Sequence, residues 1–249
     1  MDLNADLGEG FGAWQFGDDA ALLDLITSAN VACGFHAGDA ATMRRVCALA
    51  AERGVAVGAQ VGYRDLAGFG RRHIAYAFAD LRDETVYQLG ALEAFCRIAG
   101  TRVRYLKPHG ALYHAAATDE AQAAALVAAV TGYDRELPVL CLAGSVLAQL
   151  AAGAGLRVVA EGFADRSYQP NGMLVPRSAP GALLTDPAAV AAQAVHMATR
   201  GTVTAVDGST IPCPVESICL HGDTPGAVHA AELVRAALVE AGVGLTAFV

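Results

Sequence analysis

Short runs of β-branched and apolar residues alternate along this chain with longer Ala-rich stretches of helical period. The pattern predicts strands over 2–7, 28–35, 55–61, 103–107, 139–143, 157–161 and 218–220. It predicts helices over 18–27, 39–53, 83–99, 119–131, 145–152, 187–200 and 225–241. Asp39, Thr118 and Ser145 stand where a side-chain oxygen can take up the open N–H groups of a first turn. Pro187 and Pro225 suit the first helical position, where no N–H is needed. Gly54, Gly100, Gly132, Gly201 and Gly242 sit where helices should stop. The stretch 202–214, with its Asp207-Gly208 turn, reads as an inserted β-hairpin.

About seven β-then-α units describe an α/β protein with a parallel sheet clad by helices. The unbroken apolar run Val139-Leu140-Cys141-Leu142-Ala143 fits a strand buried on both faces. Periodicity alone is satisfied by a closed barrel or by an open doubly wound sheet. No linker or low-complexity stretch divides the chain, which predicts one domain over 1–249.

Composition narrows the function. Apolar residues make up 54% and charged residues 17%, with a mean hydropathy of +0.38, enough for a large core. No run of about eighteen apolar residues is free of charge, so no spanning helix is expected. Asp2 and Asp6 occupy positions where a signal peptide needs basic residues, which predicts a cytoplasmic protein. The net charge of −8 and dispersed basic residues argue against a nucleic-acid partner. Six scattered cysteines without a C-x-x-C pair read as buried small hydrophobes rather than disulfides or a zinc knuckle.

The chemistry-bearing residues collect at the C-terminal ends of the predicted strands, where a βα barrel places its active site. These ends carry Asp6 and Glu9; Cys33, His36 and Asp39; Gln60 and a long loop with Arg71; Lys107 and His109; Glu161 and Arg166; and His221 and Asp223. Singly, several have plainer uses. A strand-end histidine is often structural, Asp39 and Asp223 suit helix caps, and Cys33 reads better as a buried thiol than as a nucleophile. Gly8, Gly10 and Gly12 lack dinucleotide-loop spacing and fit a tight turn. Gathered in one cavity, three histidines, two carboxylates, a lysine and an arginine suit general acid–base work on an anionic small molecule. His and carboxylate are also metal ligands, but no spacing specifies an ion, and the metal content stays open.

Long strings of these residues resemble the LamB/YcsF family, the 5-oxoprolinase A-subunit family. They are Asp2-Leu3-Asn4-Ala5-Asp6-Leu7-Gly8-Glu9, Asn30-Val31-Ala32-Cys33-Gly34-Phe35-His36-Ala37-Gly38-Asp39, Gly68-Phe69-Gly70-Arg71-Arg72, Lys107-Pro108-His109-Gly110-Ala111-Leu112-Tyr113, Glu161-Gly162-Phe163-Ala164-Asp165-Arg166, Leu174-Val175-Pro176-Arg177 and Cys219-Leu220-His221-Gly222-Asp223. They run in order over essentially the whole chain. The resemblance implies a seven-unit (β/α) TIM-like barrel related to the glycoside hydrolase/deacetylase superfamily. It implies cleavage of 5-oxo-L-proline to L-glutamate coupled to ATP hydrolysis, with Mg2+ accompanying ATP, in a complex with subunits B and C. Two positions depart from the family pattern. Gln60 stands where many relatives have histidine, which weakens any metal mechanism needing that ligand, and His114 stands in place of an expected asparagine.

For that chemistry, Asp6 or Glu161 with His36 or His109 is expected to activate water and protonate the ring nitrogen. Lys107 is expected to hold oxyanion or phosphate charge, and Arg71 or Arg166 the substrate carboxylate. Asn4, Glu9, His221 and Asp223 complete the expected substrate contacts. The chain has no G-x-x-x-x-G-K-[ST] loop, so ATP recognition is expected to involve the partner subunits or an unfamiliar site. The alternatives are a metal-dependent deacetylase or amidohydrolase using Asp6, His36, His109 and His221, and a non-catalytic scaffold subunit.

Overall fold

The computed structural model describes residues 1–222 and 226–249. Asp223, an expected substrate contact, and Pro225, an expected helix start, lie outside the described residues. Six strands, β1 (Asp2–Leu7), β2 (Ser28–Ala32), β3 (Ala56–Val61), β4 (Val103–Pro108), β5 (Val139–Leu142) and β6 (Val158–Phe163), are followed by a short antiparallel hairpin. That hairpin is β7 (Thr202–Thr204) with β8 (Thr210–Pro212), and β9 (Ser217–Leu220) comes after it. Strands β1 to β6 and β9 pair in parallel and close into a seven-stranded barrel, with β9 bonded to both β1 and β6. This is the barrel that the resemblance implied.

Helices α1 (Asp19–Leu23), α2 (Ala40–Arg53), α3 (Phe78–Ile98), α4 (Gly110–Thr118), α5 (Glu120–Tyr133), α6 (Val146–Gly153), α7 (Pro187–Arg200) and α8 (Ala227–Glu240) complete the fold. Among the described residues, no helix is long and apolar enough to cross a membrane. Capping follows the sequence at several ends. Asp39 accepts from the Thr42 N–H, Ser145 accepts from the Ala148 N–H, and Pro187 opens α7. Three expectations need correction. Thr118 closes α4 instead of opening α5; Asp119 does that, accepting from the Ala121 and Gln122 N–H groups. Gly132 lies inside α5, which runs on to Tyr133. The chain has a helix, α4, that the pattern did not single out, and its first turn has no side-chain cap to announce it.

The alternation of side chains along each strand sorts the core. Leu3, Ala5 and Leu7 join Val31, Val46 and Leu22 in the apolar layer between barrel and helices. The inward positions toward the C-terminal ends of the strands are polar, and at the opposite end Asp2, Ser28 and Ser217 form a smaller buried polar cluster. Beside it Tyr105, Leu140 and Val159 meet Phe248, whose ring lies 4.9 Å from that of Tyr105. Phe248 and these partners plug that end of the barrel. All six cysteines are buried and free, as small hydrophobes would be.

Gly58 faces the Tyr105 ring so closely that a Cβ atom would overlap it. We expect Gly58→Ala to destabilise the fold by about 1–3 kcal/mol, the cost of overpacking. Gly90, exposed in α3 with open space around it, is the control: Gly90→Ala should stabilise by roughly 0.5–1 kcal/mol. Thermal unfolding of the two variants checks both signs.

Candidate active site

Lys107 projects from the end of β4 into the barrel and meets carboxylates from two other strands. Its Nζ lies 2.6 Å from Glu161 Oε1 on β6 and 3.2 Å from Asp6 Oδ1 on β1. It also donates to Asn4 Oδ1 at 3.2 Å and contacts Cys219 Sγ at 3.1 Å. Asn30 binds the same cluster through Nδ2, donating to Asn4 Oδ1 at 2.6 Å and Asp6 Oδ1 at 2.9 Å. Tyr105 donates to Asn30 Oδ1 at 2.6 Å, and Asn4 donates to Ser217 Oγ at 2.7 Å. Every member is buried. Burial alone would neutralise these charges, and their mutual arrangement decides otherwise. Burial raises the Asp6 carboxyl, but Lys107, the two nearby histidines His221 and His109, and the Asn30 hydrogen bond together outweigh it and hold the group well below its usual range. Burial likewise lowers the Lys107 ammonium, while the facing carboxylates raise it well above its ordinary value. For Glu161 burial prevails and pushes the carboxyl up, with Lys107 opposing.

A second buried cluster forms just past the C-terminal ends of β1, β2 and β4. The His36 and His109 rings stack with centroids 3.8 Å apart and planes 15° from parallel, and Phe69 packs edge-on against both. Glu9 Oε1 lies 3.7 Å from His109 Nε2. The loop between β3 and α3 presses onto these rings. Asp65 pins it by accepting from the Gly68 N–H at 3.0 Å and from Arg72 Nε at 2.9 Å. Gly70, in the left-handed region at φ 65°, comes so near that a Cβ would lie 2.7 Å from His36 Cβ. Burial lowers the His36 imidazole to about 4 and pushes His109 well below its usual value, so both rings are neutral near pH 7.

The donor set fits a divalent ion. Ligand atoms of Glu9, His36 and His109 lie within 4.8 Å of one another, and three of the four ring nitrogens, both of His36 and Nδ1 of His109, are buried without a hydrogen bond. Neutral imidazoles and a carboxylate are the forms that coordinate metal. The sequence leaves the metal content open, and this set differs from Asp6, His36, His109 and His221, the residues of the metal-dependent alternative. His221 turns instead to Asp165, with Nδ1 2.7 Å from Oδ2, and its ring stacks on Phe163 at 5.8 Å.

Between these clusters opens a cavity of about 770 Å³. Of the expected site residues, Asp6, Arg71, Lys107, His109, Arg166 and His221 line it. Asn4, Glu9, His36 and Glu161 stand behind that lining. Arg166 lines the cavity but also holds the loop that follows β6, donating through Nη2 to the Val175 carbonyl at 2.6 Å and through Nε to the Ala182 carbonyl at 3.3 Å. Cys33 stays outside the chemistry, its thiol pushed up by burial. The strand-end pattern gave no role to Asn30, Cys219, Asp165 or Arg177. Asn30 had a usable signal, because Ser28 and Asn30 alternate on a strand just as Asp2, Asn4 and Asp6 do.

The ion triad makes a measurable demand. Lys107→Met leaves two buried carboxylates without their cation, and we expect a loss of roughly 3–5 kcal/mol at neutral pH. In that variant burial raises both carboxyl groups above their unfolded values. Its stability should therefore be greatest in acid and fall as pH rises through those pKa values. Adding Glu161→Gln should restore part of the loss. Denaturant titrations of the single and double variants decide it, and strictly additive losses would show that the charges do not act together.

The LamB/YcsF family model matches residues 1–249. The chain is 59% identical over 249 residues to a Nocardia farcinica protein named as the A subunit of 5-oxoprolinase, covering 100% of this chain and 99% of that one. A protein of Streptomyces avermitilis with the same name is 60% identical over 248 residues, with the same coverage. Among solved structures, the lactam utilization protein of Thermus thermophilus is 44% identical with a TM-score of 0.95, covering 100% of this chain and 99% of that chain. A whole-length family match and near-complete alignment with such relatives leave one assignment: the chain belongs to the LamB/YcsF family.

Proposed function

We propose that the chain is the A component of an ATP-dependent 5-oxoprolinase, acting in the cytoplasm with subunits B and C to open 5-oxo-L-proline to L-glutamate. The observation that carries this reading is the charged Lys107 at the base of the cavity, held between Asp6 and Glu161. The relatives' shared name supports it over the full length of the chain.

An amide carbonyl is a poor electrophile, and ATP overcomes this by phosphorylating the lactam carbonyl oxygen with release of ADP. Water then adds to the ring carbon, and the C–N bond breaks with its electron pair going to nitrogen, which is protonated to the amine. A second water hydrolyses the acyl phosphate to carboxylate and inorganic phosphate. Mg2+ accompanies ATP, whose recognition falls to the partner subunits.

Within this chain, Lys107 stabilises the oxygen charge that develops at the ring carbon. Asp6 is too firmly held as an anion to serve well as a base, and its part is to fix Lys107. Glu161 does the same from behind the lining. Proton transfer falls to His221, oriented by Asp165 through Nδ1, or to His109, which also lines the cavity. Arg71 or Arg166 pairs with the substrate carboxylate.

A second reading, a metal-dependent amidohydrolase, is favoured by the Glu9, His36 and His109 cluster alone. A divalent ion held there would supply a Lewis acid to polarise a carbonyl.

Glutamate release from 5-oxoproline, by the chain alone and with its partners, with and without ATP, separates the readings. We expect release only with ATP and partners, and a fall on the order of 10²–10³ in turnover for Lys107→Ala. Release by the chain alone without ATP would put the amidohydrolase first. Unchanged turnover in both Lys107→Ala and His109→Ala would overturn the role assignments.

A further inference from the structure

We propose that the cavity wall built by Arg166 and Arg177, with Arg71 and His114 beside them, is a phosphoryl-binding subsite. The ligand it takes is a small phosphorylated molecule delivered from another subunit. That the molecule is a phosphorylated lactam rests on the 5-oxoprolinase reading; the anion subsite itself does not.

Three guanidiniums, those of Arg71, Arg166 and Arg177, line one cavity, and among its described lining residues Asp6 is the only carboxylate. Asp6 is engaged at the inner end by Lys107 and Asn30. Arg166 is 2% exposed and locked in place by two backbone carbonyls, which satisfy donors without cancelling charge. Neither Arg166 nor Arg177 has a carboxylate within ion-pair distance among the described residues. Asp165, the acid whose field reaches both, is committed to His221 at 2.7 Å. Burial and the nearby Arg177 charge pull the Arg166 guanidinium down to about 10, as expected where like charges face each other without a counter-ion.

A chain with a net charge of −8 has nonetheless placed cations together in a half-enclosed space. One carboxylate is served by a single forked arginine, whereas a phosphoryl group offers three acceptor oxygens and nearly two charges. The volume of about 770 Å³ also exceeds what one five-membered ring needs.

The test is calorimetric titration of the full-length chain, without partners, with inorganic phosphate and separately with acetate. We expect one phosphate per chain, bound more tightly than acetate. Affinity should fall about tenfold or more in Arg177→Ala, the loss of one charge-assisted contact. It should fall less in Arg177→Lys and stay unchanged in Arg200→Ala at the end of α7. Arg177 stands on the cavity wall rather than in the core, so its variants should unfold at the wild-type temperature; if alanine does not, the lysine variant decides. Phosphate affinity unaffected by either Arg177 substitution, or acetate bound as tightly as phosphate, would overturn the subsite while leaving ATP-dependent glutamate release intact. Failure of glutamate release with phosphate affinity retained would instead overturn the lactam reading and leave the subsite standing.

Discussion

An ammonium group buried inside a barrel has to be met by charge, and much of this structure follows from meeting it. Removing an ion from water costs several kcal/mol even after relaxation, and only well-placed counter-charges and hydrogen bonds recover that cost. Lys107 obtains them from Asp6 on β1 and Glu161 on β6, with Asn4 alongside. Those groups in turn need partners of their own, which Asn30 and Ser217 supply from two further strands and Tyr105 from the strand of Lys107 itself. One charge therefore recruits inward-facing polar residues from most of the barrel wall. Apart from the inner plug of Leu140 and Val159, the strands carry their apolar residues on the other face, toward the helices.

The same requirement gives the molecule a direction. Apolar side chains and Phe248 close one end of the barrel, so water and ligand meet the polar interior only from the other. Glycines make the mouth compact there. Gly110, at φ 56°, packs against the Gly70 carbonyl, which accepts from the Ala111 N–H at 2.9 Å. That contact ties the β3–α3 loop to the start of α4 and holds Phe69 against the two histidines. The histidines are kept neutral by burial, while Arg71 and Arg177 stand further out and Arg166 is buried beside Arg177. Charge in the cavity is thus sorted by place: an internally compensated triad on β1, β4 and β6, neutral stacked imidazoles beside it, and guanidiniums along the loops.

This sorting matches a reaction in which a neutral amide must be activated before water attacks it. The base of the cavity offers a fixed positive charge without a strong base beside it, because Asp6 is held as an anion by Lys107. Such a site stabilises charge well and generates a nucleophile poorly, which on the proposed reading suits a substrate already made electrophilic by ATP. His221, bonded to Asp165, lines the cavity and is one of the two groups to which that reading assigns proton transfer.

Local patterns in the sequence were enough for the strand and helix order, most caps and the collection of reactive residues at one end of the strands. These depend on side-chain period and on capping within a few residues. Where no local signal exists the pattern falls silent, as with α4, whose first turn has no side-chain cap. Periodicity also left barrel and open sheet undecided, because closure is the pairing of β9 with both β1 and β6, between segments far apart in the chain. The same distinction applies in the site. Asp6, Lys107, His109 and His221 were legible as strand-end residues, and they do line the cavity. That Glu161 and Asn4 lie behind it, that His221 bonds Asp165 across 56 residues, and that Arg177 joins Arg166 are facts of packing. Residue type and position along the strand chose which groups could act; only the closed barrel, by setting depth and neighbours, decided their charge and their partners.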